Sequence, residues 1–71
     1  MQLLGENHLA TAATFHNMGE ILERKGKLDE AMRMYEAALQ IRLKILGHKD
    51  TDTLATHKIL HNLHQKMTEF Q

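Results

Sequence analysis

Three histidines in the last third of the sequence are spaced as metal ligands on a helix are spaced. His57, His61 and His64 follow one another at intervals of four and three residues, which places them on one face of a helix. Two imidazoles one turn apart are able to share a zinc or nickel ion, and a third would complete most of the coordination shell. Because no aspartate, glutamate or cysteine joins them on that face, we expect no metal site and keep these three residues as candidates to test.

Other chemistries lack the residues that they need. The sequence has no serine, no cysteine and no glycine-rich phosphate loop, and a chain of 71 residues is too short to enclose a catalytic pocket. Nine basic residues balance nine acidic ones, so no basic face for nucleic acid is expected. No apolar run is long enough to span a bilayer, and no signal-peptide pattern is present. We therefore expect neither an enzyme nor a cofactor, and a soluble cytoplasmic protein without nucleic-acid or membrane partners.

The elements that position these residues are predicted to be helices. Apolar residues make up 42% of the chain, most of them strong helix formers, and there is no proline. Apolar periodicity predicts an all-α fold with helices at about 9–25, 28–46 and 51–70. Gly26 is suited to end the first helix, and Asp50 is suited to cap the third.

The short connection at Gly26 requires the first two helices to pack antiparallel. On the first helix the apolar stripe consists of Phe15, Met18, Ile21 and Leu22. The buried face predicted for the second helix consists of Ala31, Met34, Tyr35, Ala38, Leu39 and Ile45. The apolar residues of the third helix are Leu54, Ile59, Leu60, Leu63 and Met67.

The sequence also resembles itself at an offset of 42 residues. The matched pairs include Leu4 with Leu46, Thr11 with Thr53, Ala13 with Ala55, Met18 with Leu60, and Ile21 with Leu63. A period of this length is typical of helical solenoids. The third helix then corresponds to the first half of a second repeat.

These residues resemble the tetratricopeptide repeat. The resemblance rests on Asn17-Met18-Gly19, followed by Gly26, Ala31, Tyr35 and Ala38. The Leu-Gly-x-x-His opening at Leu4–His8, its counterpart at Leu46–Asp50 and the 42-residue period resemble the long-repeat subgroup typified by kinesin light chains. The resemblance implies one domain over 1–71, an antiparallel hairpin plus a capping helix from a right-handed α-solenoid. It also implies, with Gly19 opposite Ala31, a set of packing positions at Phe15, Gly19, Leu22, Ala31, Tyr35 and Ala38.

The function implied by the resemblance is that of a non-enzymatic scaffold. It would hold a peptide or partner protein in a concave groove lined by the first helices of successive repeats. The groove residues carried over by position are His16, Asn17, Glu20 and Arg24 on the first helix, and Lys58, Asn62 and Lys66 on the third. Asn17 is of special interest, because a side-chain amide offers donors and an acceptor to an extended backbone.

The 42-residue offset gives a second interpretation of the helix face that carries the three histidines, which we call the histidine face. His57, His61 and His64 align with Phe15, Gly19 and Leu22, so polar side chains replace the residues that would pack against a following helix. We expect this face to be a solvating cap, which terminal repeats of a solenoid need. A self-association interface and a metal-binding or pH-responsive helix are the alternatives.

The start of the sequence suggests a further expectation about assembly. Residues Met1–Leu4 resemble the end of a preceding second helix. Without the rest of such a helix, the outer side of the first helix would expose an apolar strip. We therefore expect a homo-oligomer, a dimer or larger, and hold a structural self-assembling unit as the alternative to a peptide-binding module.

Overall fold

The computed structural model describes residues 8–69, which form three α-helices and contain no strand. Helix α1 spans Leu9–Arg24, α2 spans Leu28–Leu46 and α3 spans Thr51–Glu69. The all-α fold predicted from the sequence is confirmed. The segment Met1–Leu4 and the predicted third-helix end at residue 70 lie outside the described residues. No helix within residues 8–69 is both long enough and apolar enough to cross a membrane.

Side chains cap the first turns of α1 and α3. At the start of α1, His8 Nδ1 accepts a hydrogen bond from the backbone N–H of Ala10 at 3.0 Å. At the start of α3, Asp50 Oδ1 accepts one from the backbone N–H of Asp52 at 2.8 Å. Each cap satisfies a donor that has no partner inside its helix. The capping role predicted for Asp50 is confirmed, whereas the histidine cap was not anticipated.

The reversal between α1 and α2 depends on Gly26. Its φ of 81° lies in the left-handed region, which residues with a Cβ rarely adopt. The backbone N–H of Gly26 bonds the carbonyl of Glu23, and that of Lys27 bonds the carbonyl of Leu22, so the last turn of α1 is closed. Only three residues separate α1 from α2, and the two helices therefore pack side by side as a hairpin.

Helix α2 is the central element and carries residues of two buried clusters. One cluster joins α1 to α2 through Ala12, Ala38 and Ile41, with Phe15 packed against it. The other joins α2 to α3 around Ala31, Tyr35 and Leu63. Partly buried apolar side chains surround this second cluster, namely Leu22, Leu28, Met32, Ile59, Leu60 and Met67.

Polar contacts add a second connection between α2 and α3. The Arg42 guanidinium donates a hydrogen bond to Thr56 Oγ1. The Thr56 hydroxyl in turn donates to the backbone carbonyl of Asp52 at 3.1 Å. Thr56 is completely buried, so this pairing satisfies a group that would be costly to leave without a partner. It fixes the first turns of α3 against the second half of α2.

The ring of Tyr35 occupies the space left by the missing side chain of Gly19. A Cβ placed on Gly19 would lie 2.8 to 3.0 Å from three ring carbons of Tyr35, closer than such atoms pack. Gly19 was predicted to face Ala31; the three atoms nearest to a Cβ at Gly19 belong to Tyr35, which shares a buried cluster with Ala31. The small residue admits an aromatic ring from α2, one turn further along than Ala31.

Several residues of the apolar stripes are exposed, including Ile45, which was predicted to be buried. Met18 and Ile21 of α1 are 45% and 51% exposed, Ile45 of α2 is 43% exposed, and Leu54 of α3 is 51% exposed. Apolar periodicity identifies one face of a helix but not how much of that face a neighbour covers. In this arrangement α1 and α3 are outer helices packed against α2, so parts of their apolar stripes remain in contact with solvent.

The close packing of Gly19 and Tyr35 predicts an unusual response to alanine. In an open helix, Gly19→Ala would gain about 1 kcal/mol of stability from helix propensity. Here the new methyl group meets a fully buried ring, and we expect a net loss of about 1–2 kcal/mol in urea unfolding. In a Tyr35→Leu background the ring is absent, so the same change should cost little. The difference between the two backgrounds measures the coupling energy between positions 19 and 35. A higher stability for Gly19→Ala alone would contradict this packing.

Candidate functional site

An open groove of about 680 Å³ lies between α1 and α3, with Tyr35 of α2 in its lining. Its lining residues are Glu20, Glu23, Arg24, Tyr35, Ile59, Asn62 and Lys66. Four of the predicted groove residues are among them: Glu20, Arg24, Asn62 and Lys66. The groove therefore brings together residues of two helices that lie at least 35 positions apart in the sequence, the separation between Arg24 of α1 and Ile59 of α3.

The carboxylate of Glu23 joins all three helices at the centre of this groove. Its Oε1 accepts a hydrogen bond from the Tyr35 hydroxyl at 3.0 Å, and its Oε2 accepts one from Lys66 Nζ at 3.1 Å. The lysine is half exposed, so the ion pair by itself is worth little, on the order of 0–1 kcal/mol. The arrangement nevertheless fixes one wall of the groove relative to the other.

Glu23 was not among the groove residues predicted from the sequence. The signal that could have identified it is its position, one helical turn after the glycine that admits the ring of Tyr35. A hydroxyl at the end of that ring has to find an acceptor near the next turn of α1. Lys66 lies 43 residues away from Glu23 in the sequence, and no local pattern connects the two.

Burial is the largest cause that raises the pKa of Tyr35 above its ordinary value, and the hydrogen bond to Glu23 raises it further. Both effects favour the neutral phenol, since a phenolate would lose hydration and would face a carboxylate. The Tyr35 hydroxyl is therefore kept as a hydrogen-bond donor to Glu23. This side chain belongs both to the buried core and to the groove lining.

His16 lies beside the groove and supports it. Its side chain is only 15% exposed, and its ring meets that of Tyr35 edge to face with centroids 5.3 Å apart. His16 Nε2 is 3.6 Å from Glu20 Oε2, which is an ion-pair distance when the imidazole is protonated but too long for a good hydrogen bond. Its Nδ1 is buried without a hydrogen-bond partner. The predicted groove residue is thus a packing neighbour of Tyr35.

Asn17 and Lys58 are exposed, and neither lines the groove. The position that the family resemblance singled out on α1 therefore lies outside the groove as this chain forms it. Arg24 and Asn62 provide the polar groups that are open to a partner. Within residues 8–69, neither of these two side chains is engaged in an ion pair or a hydrogen bond with another side chain.

The three histidines of α3 lie at a different place. His57, His61 and His64 line a smaller pocket of about 210 Å³ between α2 and α3, together with Glu36 and with the apolar Met32 and Leu60. All three imidazoles are exposed. Across the part of the chain that the structure describes, no three histidine, aspartate or glutamate side chains converge as a metal ion requires.

With the fold and the groove described, the family can be assigned. A family model described as tetratricopeptide repeat matches residues 1–44 and, in a second register, residues 10–71. The chain belongs to the tetratricopeptide repeat family. Members of this family are generally non-enzymatic scaffolds that mediate binding of protein partners. Comparison with curated proteins and with solved structures gave no match.

The raised pKa of Tyr35 predicts how stability changes at alkaline pH. In the unfolded chain the phenol ionises near pH 10, whereas in the folded protein it stays neutral to higher pH. Its contribution is therefore complete below about pH 10 and is lost as the pH rises above that value. We expect Tyr35→Phe to lower the free energy of unfolding by about 1–2 kcal/mol at pH 8.

Urea unfolding of both proteins from pH 8 to pH 11 measures this difference. The wild-type protein should lose more stability than Tyr35→Phe over that range, so that the two curves converge. Other effects of alkaline pH act on both proteins, so the difference between the two curves reports on Tyr35. Parallel curves would show that Tyr35 ionises normally in the folded state.

Proposed function

We propose that the chain is a protein-interaction module that binds an extended peptide segment of a partner in the groove between α1 and α3. The observation that supports this most directly is the pair Arg24 and Asn62, which line the same groove and whose side chains have no hydrogen-bond or ion-pair partner among residues 8–69. Membership in the tetratricopeptide repeat family supports the general role. Helices α1 and α3, which form the walls of the groove, also correspond to the first helices of two successive repeats.

The available groups suit a peptide that lies extended across the groove. The Arg24 guanidinium offers several donors to carbonyl or carboxylate oxygens, and the Asn62 amide offers both donors and an acceptor. Ile59 adds an apolar contact between them. Because Glu23 is already bonded to Tyr35 and Lys66, its carboxylate stays in place and limits what must be ordered on binding.

Selection from a displayed library of random peptides, followed by fluorescence anisotropy of the selected peptide, tests this proposal. Arg24→Ala and Asn62→Ala should each weaken binding by about tenfold or more, since each removes hydrogen bonds in a partly enclosed groove. Asn17→Ala and Lys58→Ala serve as matched controls, because they remove the same kinds of side chain from exposed positions outside the groove.

The controls separate two ways in which the proposal can fail. If all four variants bind the peptide equally well, the groove is not the binding site. If Asn17→Ala abolishes binding and Arg24→Ala does not, the positions carried over from the family decide binding, and the groove between α1 and α3 does not.

A structural unit that binds further copies of itself is the second candidate function. It is favoured by the six large apolar side chains in residues 8–69 that are more than 40% exposed: Leu9, Met18, Ile21, Leu43, Ile45 and Leu54. Exposed apolar surface on a small protein is typical of interaction sites. Sedimentation velocity at tens of micromolar distinguishes a stable monomer, which would count against this candidate, from an oligomer.

For the histidine face we propose the role of a solvating cap at the end of the helical stack. Its exposure and its mixed lining of histidine, glutamate and apolar side chains support that role over a metal centre. We expect a tenfold excess of zinc to leave the melting temperature unchanged. A rise that disappears in the His57→Ala/His61→Ala double variant would instead establish metal binding by this face.

The subgroup within the family, the handedness of the solenoid and the cellular location are also part of this proposal. A relation to the 42-residue kinesin-light-chain-like subgroup is supported by the internal offset between Met18 and Leu60 and between Ile21 and Leu63. The right-handed solenoid follows from the same resemblance, and the cytoplasmic location is proposed from the lack of cysteine in the sequence.

A further inference from the structure

An apolar groove of about 560 Å³ lies between α1 and α2 and includes no residue of α3. Its apolar lining consists of Met18, Ile21, Leu22 and Met34. It adjoins a second groove, lined in part by Phe15, Ala37 and Ile41, because Arg33 borders both. We call the combined surface of Phe15, Met18, Ile21, Met34, Ala37 and Ile41 the outer face.

Two opposite charges stand at the two ends of the outer face. Glu30 borders the first groove and Lys44 the second, and both side chains are exposed. Neither forms an ion pair with a residue between positions 8 and 69. They are 14 residues apart on α2, from 30 to 44, which corresponds to about 21 Å along the helix. Ala37 lies halfway between them.

We propose that the outer face is the interface of a symmetric dimer of this chain, with the α2 helices of the two copies antiparallel and crossing at Ala37. A twofold axis at that residue brings Glu30 of each copy opposite Lys44 of the other. The small side chain of Ala37 allows the two helices to approach closely at the crossing. The second copy then covers Met18 and Ile21, which are exposed in a single chain, together with Met34 in the same groove.

The pattern of charges favours a second copy over an unrelated partner. A twofold interface must be complementary to itself, and Glu30 and Lys44, placed equally far from one small residue, meet that requirement. Arg33 and Glu36 also border these grooves and add one charge of each sign. A head-to-tail stack would instead place the outer face against the α2–α3 side, where His57, His61 and His64 are exposed. Met18 and Ile21 would then meet a side that carries these imidazoles together with the apolar Leu43 and Leu60.

The size of the outer face sets the expected strength of the dimer. About 21 Å of two adjacent helices provides an interface at the lower end of the range for specific complexes. We therefore expect a dissociation constant in the range of roughly 1–100 μM. The outer face and the peptide groove have no residue in common, so each surface can be tested while the other remains intact.

Charge exchange gives the sharpest test. Sedimentation equilibrium at low ionic strength, from about 1 to 500 μM, should show Glu30→Lys and Lys44→Glu each weakening the dimer by about tenfold or more. Each single variant places like charges opposite each other twice, once on each side of the axis. The double variant restores both pairs with the signs reversed, and its dissociation constant should return to within about threefold of the wild-type value.

The apolar part of the interface is tested with a matched pair of substitutions. Ile21 and Leu54 are both 51% exposed, but only Ile21 belongs to the outer face. Ile21→Ser should weaken the dimer by about tenfold or more, and Leu54→Ser should leave it unchanged. Circular dichroism of each variant verifies that the helices are retained. Binding of the selected peptide, measured in parallel, should be unaffected by Glu30→Lys.

Three results would overturn the proposal. A monomer at every concentration up to 500 μM would show that a second copy does not cover the outer face. Growth of the mass beyond two copies would point to head-to-tail stacking. If the dissociation constant of the dimer is changed neither by the charge exchange nor by Ile21→Ser, or is raised equally by Leu54→Ser, the interface lies elsewhere.

Discussion

The ring of Tyr35 packs directly against the backbone of Gly19, and its hydroxyl reaches Glu23 one turn later. The same ring belongs to the buried cluster that holds Leu63 of α3. One side chain therefore helps to set the positions of both α1 and α3 relative to α2. A methyl group on the glycine would push the ring away from α1, and every contact that depends on the ring would have to shift with it.

This dependence reaches the candidate binding site, because Tyr35 is also part of the groove lining. The separation of the groove walls follows from how deeply the ring sits between the helices. Glu23 and Lys66 complete the connection across the opening at 3.1 Å. Stability and the shape of the groove are thus determined by the same few residues, so a substitution that alters the core also alters the surface offered to a partner.

The sequence identified the elements better than it identified their neighbours. The helices and the turn at Gly26 follow from local rules, since a left-handed glycine and apolar periodicity act within a few residues. The contact of Gly19 with the ring of Tyr35 was not predicted, because a pattern that requires only a small residue does not show which side chain of α2 packs against it. The role of Glu23 was missed because it depends on Lys66, which lies 43 residues away in the sequence.

The two buried clusters differ in which helices they contain, and this has a consequence for how the protein opens. The cluster of Ala12, Ala38 and Ile41 involves α1 and α2 alone, whereas the cluster around Tyr35 includes side chains from all three helices. Helix α2 is the only one of the three that supplies buried residues to both. Amide hydrogen exchange should therefore be slowest in the middle of α2 and faster toward the start of α1, where small side chains provide the packing. We therefore expect the two outer helices to open before the central one.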